Sequence, residues 1–487
     1  MISRSRKSRR TGTIVKVIGI VLAVLVVIYI AGIFYFQKHF VFGTEINGVN
    51  CSLKSVVGAE NKITDVVRSF EIVLKEREKK SETLNGKDFS MDVVFDDSIN
   101  DLFEDQNPFG WPLSWHKTKS RSVGATVSYD KQKLEQAVQS LDCMKQQNMK
   151  APVDASLSYN SEKKEFEVVP EEEGTTLDET RVLQAVLNCV EGLNEKLDLE
   201  KQDCYVNPKY YREDEAVIAA RDTVNQYVAV KVTYDYDTDQ VVVESDQIAE
   251  WLKVSEDFKV TFDKDKVQQF VSNMAQTYDT IYTTRTFRTS YDYDITISRG
   301  DYGWWTNRVE ERKSLIQFIK AGKSGTKEPV YYQRGMQRGD DDIGDTYVEV
   351  NLTRQHVLLY KDGKVVDQSD CVSGKRKSPT PAGIYSVTYK DHTYDDHQVA
   401  LVGEDYSSKV QFFIPFCGNV GFHDASWRRS FGGNQYLLKG SHGCVNLPYH
   451  MAESIYNTVE KGMPVIVYED PNVPSATTQE ATTENRN

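Results

Sequence analysis

The stretch Gly421-Phe-His-Asp-Ala-Ser-Trp427, followed after thirteen residues by Ser441-His-Gly-Cys-Val-Asn446, is where the chain is most informative. A thiol becomes a useful nucleophile at neutral pH only when something favours the thiolate, and an imidazole that takes its proton is the commonest means. Cys444 is therefore the candidate nucleophile, and His423, 21 residues earlier, the candidate base. Gly443 carries no side chain, so substrate can approach the sulfur and the backbone N–H groups of Gly443 and Cys444 can point at a developing oxyanion. Trp427 and the Gly432-Gly433 pair are candidates for the wall of a covered cleft that excludes water. Spacing alone leaves other readings open. Inert buried cysteines and satisfied core histidines are commoner than catalytic pairs. His423, His442 and Cys444 also form an incomplete zinc set, with no fourth ligand.

Outward from this stretch, 346–351 and 357–360 read as strands joined to the next one by Lys361-Asp-Gly-Lys364, a hairpin turn in which Gly363 takes positive φ. The β pattern continues over 365–372 and 384–389. Ala452, Ile455, Tyr456 and Val459 then share one helical face, and 464–468 supplies a final strand. Residues 346–469 thus read as a mostly-β domain with one helix. His423, its interval to Cys444 and Ser441-His-Gly-Cys-Val-Asn446, with Ser373-Gly-Lys375 and Thr380-Pro-Ala-Gly383 upstream, resemble the signature of the L,D-transpeptidase catalytic domain, the YkuD type.

That resemblance implies a specific reaction. Cys444 attacks the carbonyl of a donor peptidoglycan stem peptide and expels its terminal D-alanine; the acyl-enzyme passes to the amine of an acceptor stem, giving a 3→3 cross-link. It implies His423 as base, Ser441 and His442 as residues orienting His423 and substrate, the backbone of Gly443 and Cys444 as oxyanion hole, no metal or other cofactor, and acylation of Cys444 by carbapenems. Trp427 and Asn446 are substrate-binding candidates. Many relatives carry Arg at the position of Asn446; Asn446 either binds a substrate carboxylate or fixes a loop, and Arg428 does one of these or is a surface charge. Relatives often orient the base through a backbone carbonyl, so Asp424 receives no catalytic role and reads as a surface carboxylate. Cys417, in Ile-Pro-Phe-Cys-Gly-Asn, reads as an inert strand residue. Alternatives share the thioester but resolve it with water, as an L,D-carboxypeptidase, or with another amine, as a wall-attachment ligase. A non-catalytic wall-binding protein is a third reading, against which the intact Cys444, His423 and Gly443 argue.

The whole chain, 487 residues long, corresponds to about two to four domains. With 39% apolar and 27% charged residues it has globular composition, and its 27 tyrosines favour strand-rich domains. A net charge of −13 with no basic patch beyond the amino terminus excludes a nucleic-acid partner held through phosphates. Arg4, Arg6, Lys7, Arg9, Arg10 and Lys16 precede an apolar run over 17–36, which at about 1.5 Å per residue is roughly the 30 Å needed to span a bilayer. No small-residue cleavage site follows. An uncleaved anchor in the cell membrane is expected, with the basic tail 1–16 cytoplasmic and the remainder outside. Seven cysteines leave at least one free, and Cys143 and Cys204 are candidates for a disulfide.

The middle of the chain repeats itself. Residues 127–138 align without gaps to 260–271 with half the positions identical, each block reading as a short strand, a helix-capping aspartate (Asp130, Asp263) and apolar residues at helical spacing. Strand-like segments at 71–95 and 231–244 precede them, and two α+β units are placed at 40–208 and 209–335. Gly43-Thr-Glu-Ile-Asn-Gly48, Tyr278-Asp-Thr280, Gly300-Asp-Tyr-Gly-Trp304 and Glu328-Pro-Val-Tyr331 resemble the peptidoglycan-binding domain found upstream of Gram-positive L,D-transpeptidases. The resemblance implies either a wall-facing spacer that positions substrate or a stalk with no ligand of its own. Residues 336–345 read as a linker and 470–487 as a disordered polar tail. The expected architecture is multidomain: a transmembrane helix, two α+β repeats and a carboxy-terminal mostly-β catalytic domain.

Overall fold

The computed structural model describes residues 6–115, 118–237, 239–339, 341–403 and 406–473. The expected disordered tail lies outside them from residue 474 on, as do the first five residues of the basic tail. The chain gathers into two compact units, Met1–Ser156 with Val169–Arg212, and Leu157–Val168 with Glu213–Asn487. The boundary drawn at 208/209 therefore misses one excursion. The hairpin Ser156–Asn160 and Glu165–Val169 leaves the first repeat in sequence, and its Tyr159 and Phe166 pack on the core of the second unit, where Asn225 brackets Phe166 by bonding both its N–H and its C=O.

The first unit opens with the helix Arg6–Phe36, whose stretch Ile14–Phe36 is long and apolar enough to cross a membrane. Its apolar side chains are exposed around the helix, as they would not be in a soluble core. The strand Thr44–Ile46 then turns back on Val49–Asn50 through Asn47 (φ 49°) and Gly48 (φ 82°), the two left-handed residues that a tight hairpin requires. Further on, Glu71–Lys75 pairs antiparallel with Ser81–Asn85 and parallel with Lys196–Asp198. Ile72 and Leu74 alternate inward onto the helices Lys131–Ser140 and Glu179–Gly192. All seven cysteines are free, so the expected Cys143–Cys204 bridge is absent; the Cys204 sulfur is buried and faces the Gln202 carbonyl.

The second repeat reuses that plan. Val232–Asp235 pairs antiparallel with Gln240–Val243 and parallel with Gly325–Thr326, under the helices Lys264–Tyr278 and Arg308–Lys320. Both expected aspartate caps form: Asp130 accepts from the N–H groups of Gln132 and Lys133, and Asp263 from those of Asp265 and Lys266.

The carboxy-terminal domain contains a five-stranded sheet in the order Lys364–Asp370, His356–Lys361, Tyr347–Asn351, Pro464–Tyr468, Gly383–Ser386, and a four-stranded one in the order Asp391–His392, Phe412–Cys417, Val420–Asp424, Val445–Leu447. Between them Met451, Ala452 and Ile455 of the helix Tyr449–Thr458 join the inward residues of both sheets in one core. Within the stretch read as a linker, Asp342 and Ile343 are buried, and Tyr302 donates to the Asp342 carbonyl at 2.6 Å.

Candidate active site

Two neighbouring strands bring the site together. Val420–Asp424 and Val445–Leu447 run parallel, with His423 opposite Asn446 and Phe422 opposite Val445. Phe422, Val445 and Leu447 are fully buried, so the apolar alternation fixes which residues of these strands face away from the core. Immediately before the second strand, the turn 441–444 presents Cys444 to a cleft of about 220 Å³ lined by His423, Trp427, Arg428, Ser441, Cys444 and Asn446, among others.

His423 is buried and its tautomer follows from its neighbours. Nδ1 lies 2.8 Å from the Asp424 carbonyl, an acceptor only, so Nδ1 carries the proton. Arg428 is a donor only, and its Nε and Nη2 reach the Asn446 amide at 2.7 and 3.0 Å. The amide oxygen must face the guanidinium, which turns the Asn446 NH₂ onto His423 Nε2 at 2.8 Å. Both contacts agree on a neutral imidazole protonated at Nδ1. Burial pushes the His423 pKa down, opposed chiefly by the hydrogen bond to Asp424. Trp427, half exposed, stacks over the ring at a centroid distance of 5.9 Å.

Burial also pushes the Cys444 thiol up, against the opposing influence of the Gly421 backbone. Burial thus disfavours the charged form of both the thiol and the imidazole. The turn that carries the thiol is braced from two sides. Ser441 Oγ accepts from the Gly443 N–H at 3.0 Å and donates to the Cys444 carbonyl at 2.5 Å. Thr380 Oγ1 accepts from the Gly374 N–H and donates to the Gly443 carbonyl at 2.6 Å, while Ser441 exchanges backbone bonds with Ser373 and Lys375. The upstream motifs at 373–375 and 380–383 are thus the scaffold of the nucleophile turn. Gly443 itself sits at φ 132°, where only glycine is at ease.

Several sequence-based assignments change. Ser441 makes its side-chain hydrogen bonds within the turn, and by engaging the Gly443 N–H it leaves the Cys444 N–H as the donor with no hydrogen-bond partner among the described residues. His442 is exposed, with Nε2 2.7 Å from Lys375 Nζ. Among the described residues His423, His442 and Cys444 do not form a group close enough to share a metal ion. Asp424 is buried rather than superficial, its carboxylate accepting from the N–H groups of Gln411 and Phe412 at 2.7 and 2.9 Å. Gly432 packs against Asp370 instead of walling the cleft. That wall includes Leu401 and Ser408, from the hairpin Ala400–Gly403 and Tyr406–Lys409, which sequence reading passed over. The alternation of Val399, Leu401, Ser408 and Val410 was its only signal. Cys417 ends the strand Phe412–Cys417, its thiol held up by burial.

Comparison with known proteins gives two matching families. The L,D-transpeptidase catalytic domain matches residues 345–467. The family named "Putative peptidoglycan binding domain" matches twice, at 83–198 and 211–327. The "Probable L,D-transpeptidase 3" of Mycobacterium tuberculosis is 33% identical over 102 residues, 20% of this chain; the chain spans 36% of that curated relative's length. The crystal structure of a cysteine-to-serine mutant of the Enterococcus faecium L,D-transpeptidase is 33% identical, covering 51% of this chain and 98% of that one, with a TM-score of 0.41. The catalytic domain of the L,D-transpeptidase from E. faecium, solved by NMR, is 41% identical over 26% of this chain and 97% of that one, with a TM-score of 0.23.

Proposed function

The chain belongs to the L,D-transpeptidase family, and from that premise we propose that it cross-links peptidoglycan stems by a 3→3 transfer through a thioester on Cys444. The observation that carries this reading is the placement of Cys444 and an Nδ1-protonated His423 in one cleft. Because burial disfavours the charged form of each group, the proton passes from sulfur to His423 Nε2 as the sulfur attacks. An S–C bond forms at the donor carbonyl, whose electron pair moves onto oxygen and is met by the Cys444 N–H. When that intermediate collapses, the C–N bond breaks and His423 returns its proton to the departing D-alanine amine. The acceptor amine next loses a proton to His423, attacks the thioester and releases the thiol. The energy of the broken peptide bond is carried in the thioester, so each step is balanced by the chain's own groups.

The remaining parts support the same setting. The basic residues before the apolar helix favour an anchor with its amino terminus in the cytoplasm and the catalytic domain outside. The two repeats serve as a wall-facing spacer. The test is to incubate the full chain in detergent with disaccharide-tetrapeptides and read the products by mass spectrometry. Cross-linked dimer with free D-alanine is expected; tripeptide alone would replace the transferase with a carboxypeptidase. A Cys444→Ala variant should make neither and should lose carbapenem adduct formation, and a dimer from that variant would remove Cys444 from the mechanism.

A further inference from the structure

The segment Asn107-Pro-Phe-Gly-Trp-Pro-Leu-Ser-Trp115 has no part in the chemistry, yet it leaves its largest side chains in solvent: Phe109 is 60% exposed, Leu113 79% and Trp115 64%. Four such apolar or aromatic residues in nine, Trp111 included, are unusual on a water-facing loop. Their location is more telling than their number. Trp111 packs on the outer end of the apolar helix: its indole N–H donates to the Tyr29 carbonyl at 3.2 Å, and Tyr29 Oη donates to the Phe109 carbonyl at 3.1 Å. The helix is fitted to receive it. A Cβ at Gly32 would stand 2.4 Å from the indole, so only glycine admits the ring there. Phe42 continues the aromatic layer, stacked on Trp115 at 5.0 Å.

Depth follows from the helix geometry. Gly32 and Tyr29 precede the last helical residue, Phe36, by four and seven positions, so at about 1.5 Å per residue the indole sits roughly 6–10 Å inboard of the helix end. That is the zone between headgroups and acyl chains where Trp and Tyr concentrate and amphipathic segments bury about 5–10 Å deep. The helix is also welded to the folded unit. Gln106 Nε2 donates to the Phe36 and His39 carbonyls at 2.8 and 2.9 Å, and Phe40, three residues past Gln37, is already in the core.

We propose that residues 108–115 form a second membrane contact, a wedge whose Phe109, Leu113 and Trp115 enter the outer leaflet beside the anchor and fix the first repeat on the membrane surface. The proposal rests on the anchor reading above and on the continuity of the wedge with the apolar helix. The lipid bilayer is its occupant.

The full chain, reconstituted in phosphatidylcholine/phosphatidylglycerol vesicles, tests it. Leu113→Cys, in a background with Cys143, Cys417 and Cys444 replaced by serine, carries an environment-sensitive fluorophore; Val94→Cys, also exposed and in the same unit, is the control. The expected result is blue-shifted emission at 113 with quenching by a lipid-borne nitroxide and protection from aqueous iodide, none of it at 94. Gly32→Leu, which displaces Trp111, should shift the 113 label toward the control. Flotation of the same vesicles separates the two readings. If the protein floats but both labels report water, the wedge is overturned and the anchor stands; if it does not float, both fall.

Discussion

In the proposed mechanism Nε2 of His423 has two claims on it: it receives the Cys444 proton, and at rest it accepts from Asn446. Asn446 therefore holds the base in the useful tautomer without being able to accept a proton itself, and Arg428 holds Asn446. Asn446→Ala removes an orienting bond worth about 1 kcal/mol, and acylation measured with a carbapenem should slow by about fivefold. Asn446→Asp should cost more, on the order of 10²- to 10⁴-fold, because its carboxylate presents an acceptor and favours the Nε2-protonated ring. If the aspartate variant acylates as fast as the alanine one, the tautomer argument fails. The buried imidazole also sets the acid limb. Its pKa lies below the usual value of about 6.5, so the wild-type rate should hold as pH falls through that value and drop only below it, when imidazolium can no longer take the proton. A pH profile of single-turnover acylation checks this.

The nucleophile turn shows what was legible and what was not. Cys444, His423 and Gly443, proposed above as nucleophile, base and permissive glycine, stand out because the chemistry they offer is written in residue type. The caps Asp130 and Asp263 were equally plain, since a cap and the N–H groups it satisfies are neighbours in sequence. Replacing Asp263 with Ala should lower stability by about 1 kcal/mol in denaturant titration. The tasks of Asp424 and Arg428 were not legible, because their partners at Gln411, Phe412 and Asn446 lie 12 to 18 positions away and meet them only once the four-stranded sheet has formed. Nor was the hairpin over 400–409, whose weak alternation carries no chemistry. Thr380 shows the same limit: the motif was visible but its task was not. Thr380→Val leaves the Gly374 N–H and the Gly443 carbonyl unpaired in a buried place, at a cost of about 1–3 kcal/mol. Acylation should slow more than loss of folded protein explains, a difference that thermal melting and rate measured on one sample would expose.

At the scale of the second unit, motifs first read as belonging to the second repeat form its joint with the catalytic domain. Tyr302 gives its N–H to the Ile384 carbonyl, and Ile384 gives its own to Arg299, so the loop at 299–302 covers the edge strand Gly383–Ser386. Gly300 is required for the approach: φ is 111° and a Cβ would stand 1.8 Å from the Ile384 oxygen. Phe287, Ile295 and Ile297 share a core with Ile384, Ile466 and Tyr468. Arg285 locks this arrangement with two bonds of 2.7 Å to the buried Asp342 and further bonds to the carbonyls of Thr280 and Tyr302. A joint this apolar and this well paired predicts that the repeat and the catalytic domain open together. Arg285→Ala strands a buried carboxylate and should cost about 3–5 kcal/mol. Hydrogen exchange followed by mass spectrometry should show that loss equally in the helix Lys264–Tyr278 and in the catalytic strand Tyr347–Asn351. Loss confined to the repeat would mean that the catalytic domain folds without it, and that the repeat is a spacer joined to the catalytic domain only by the chain.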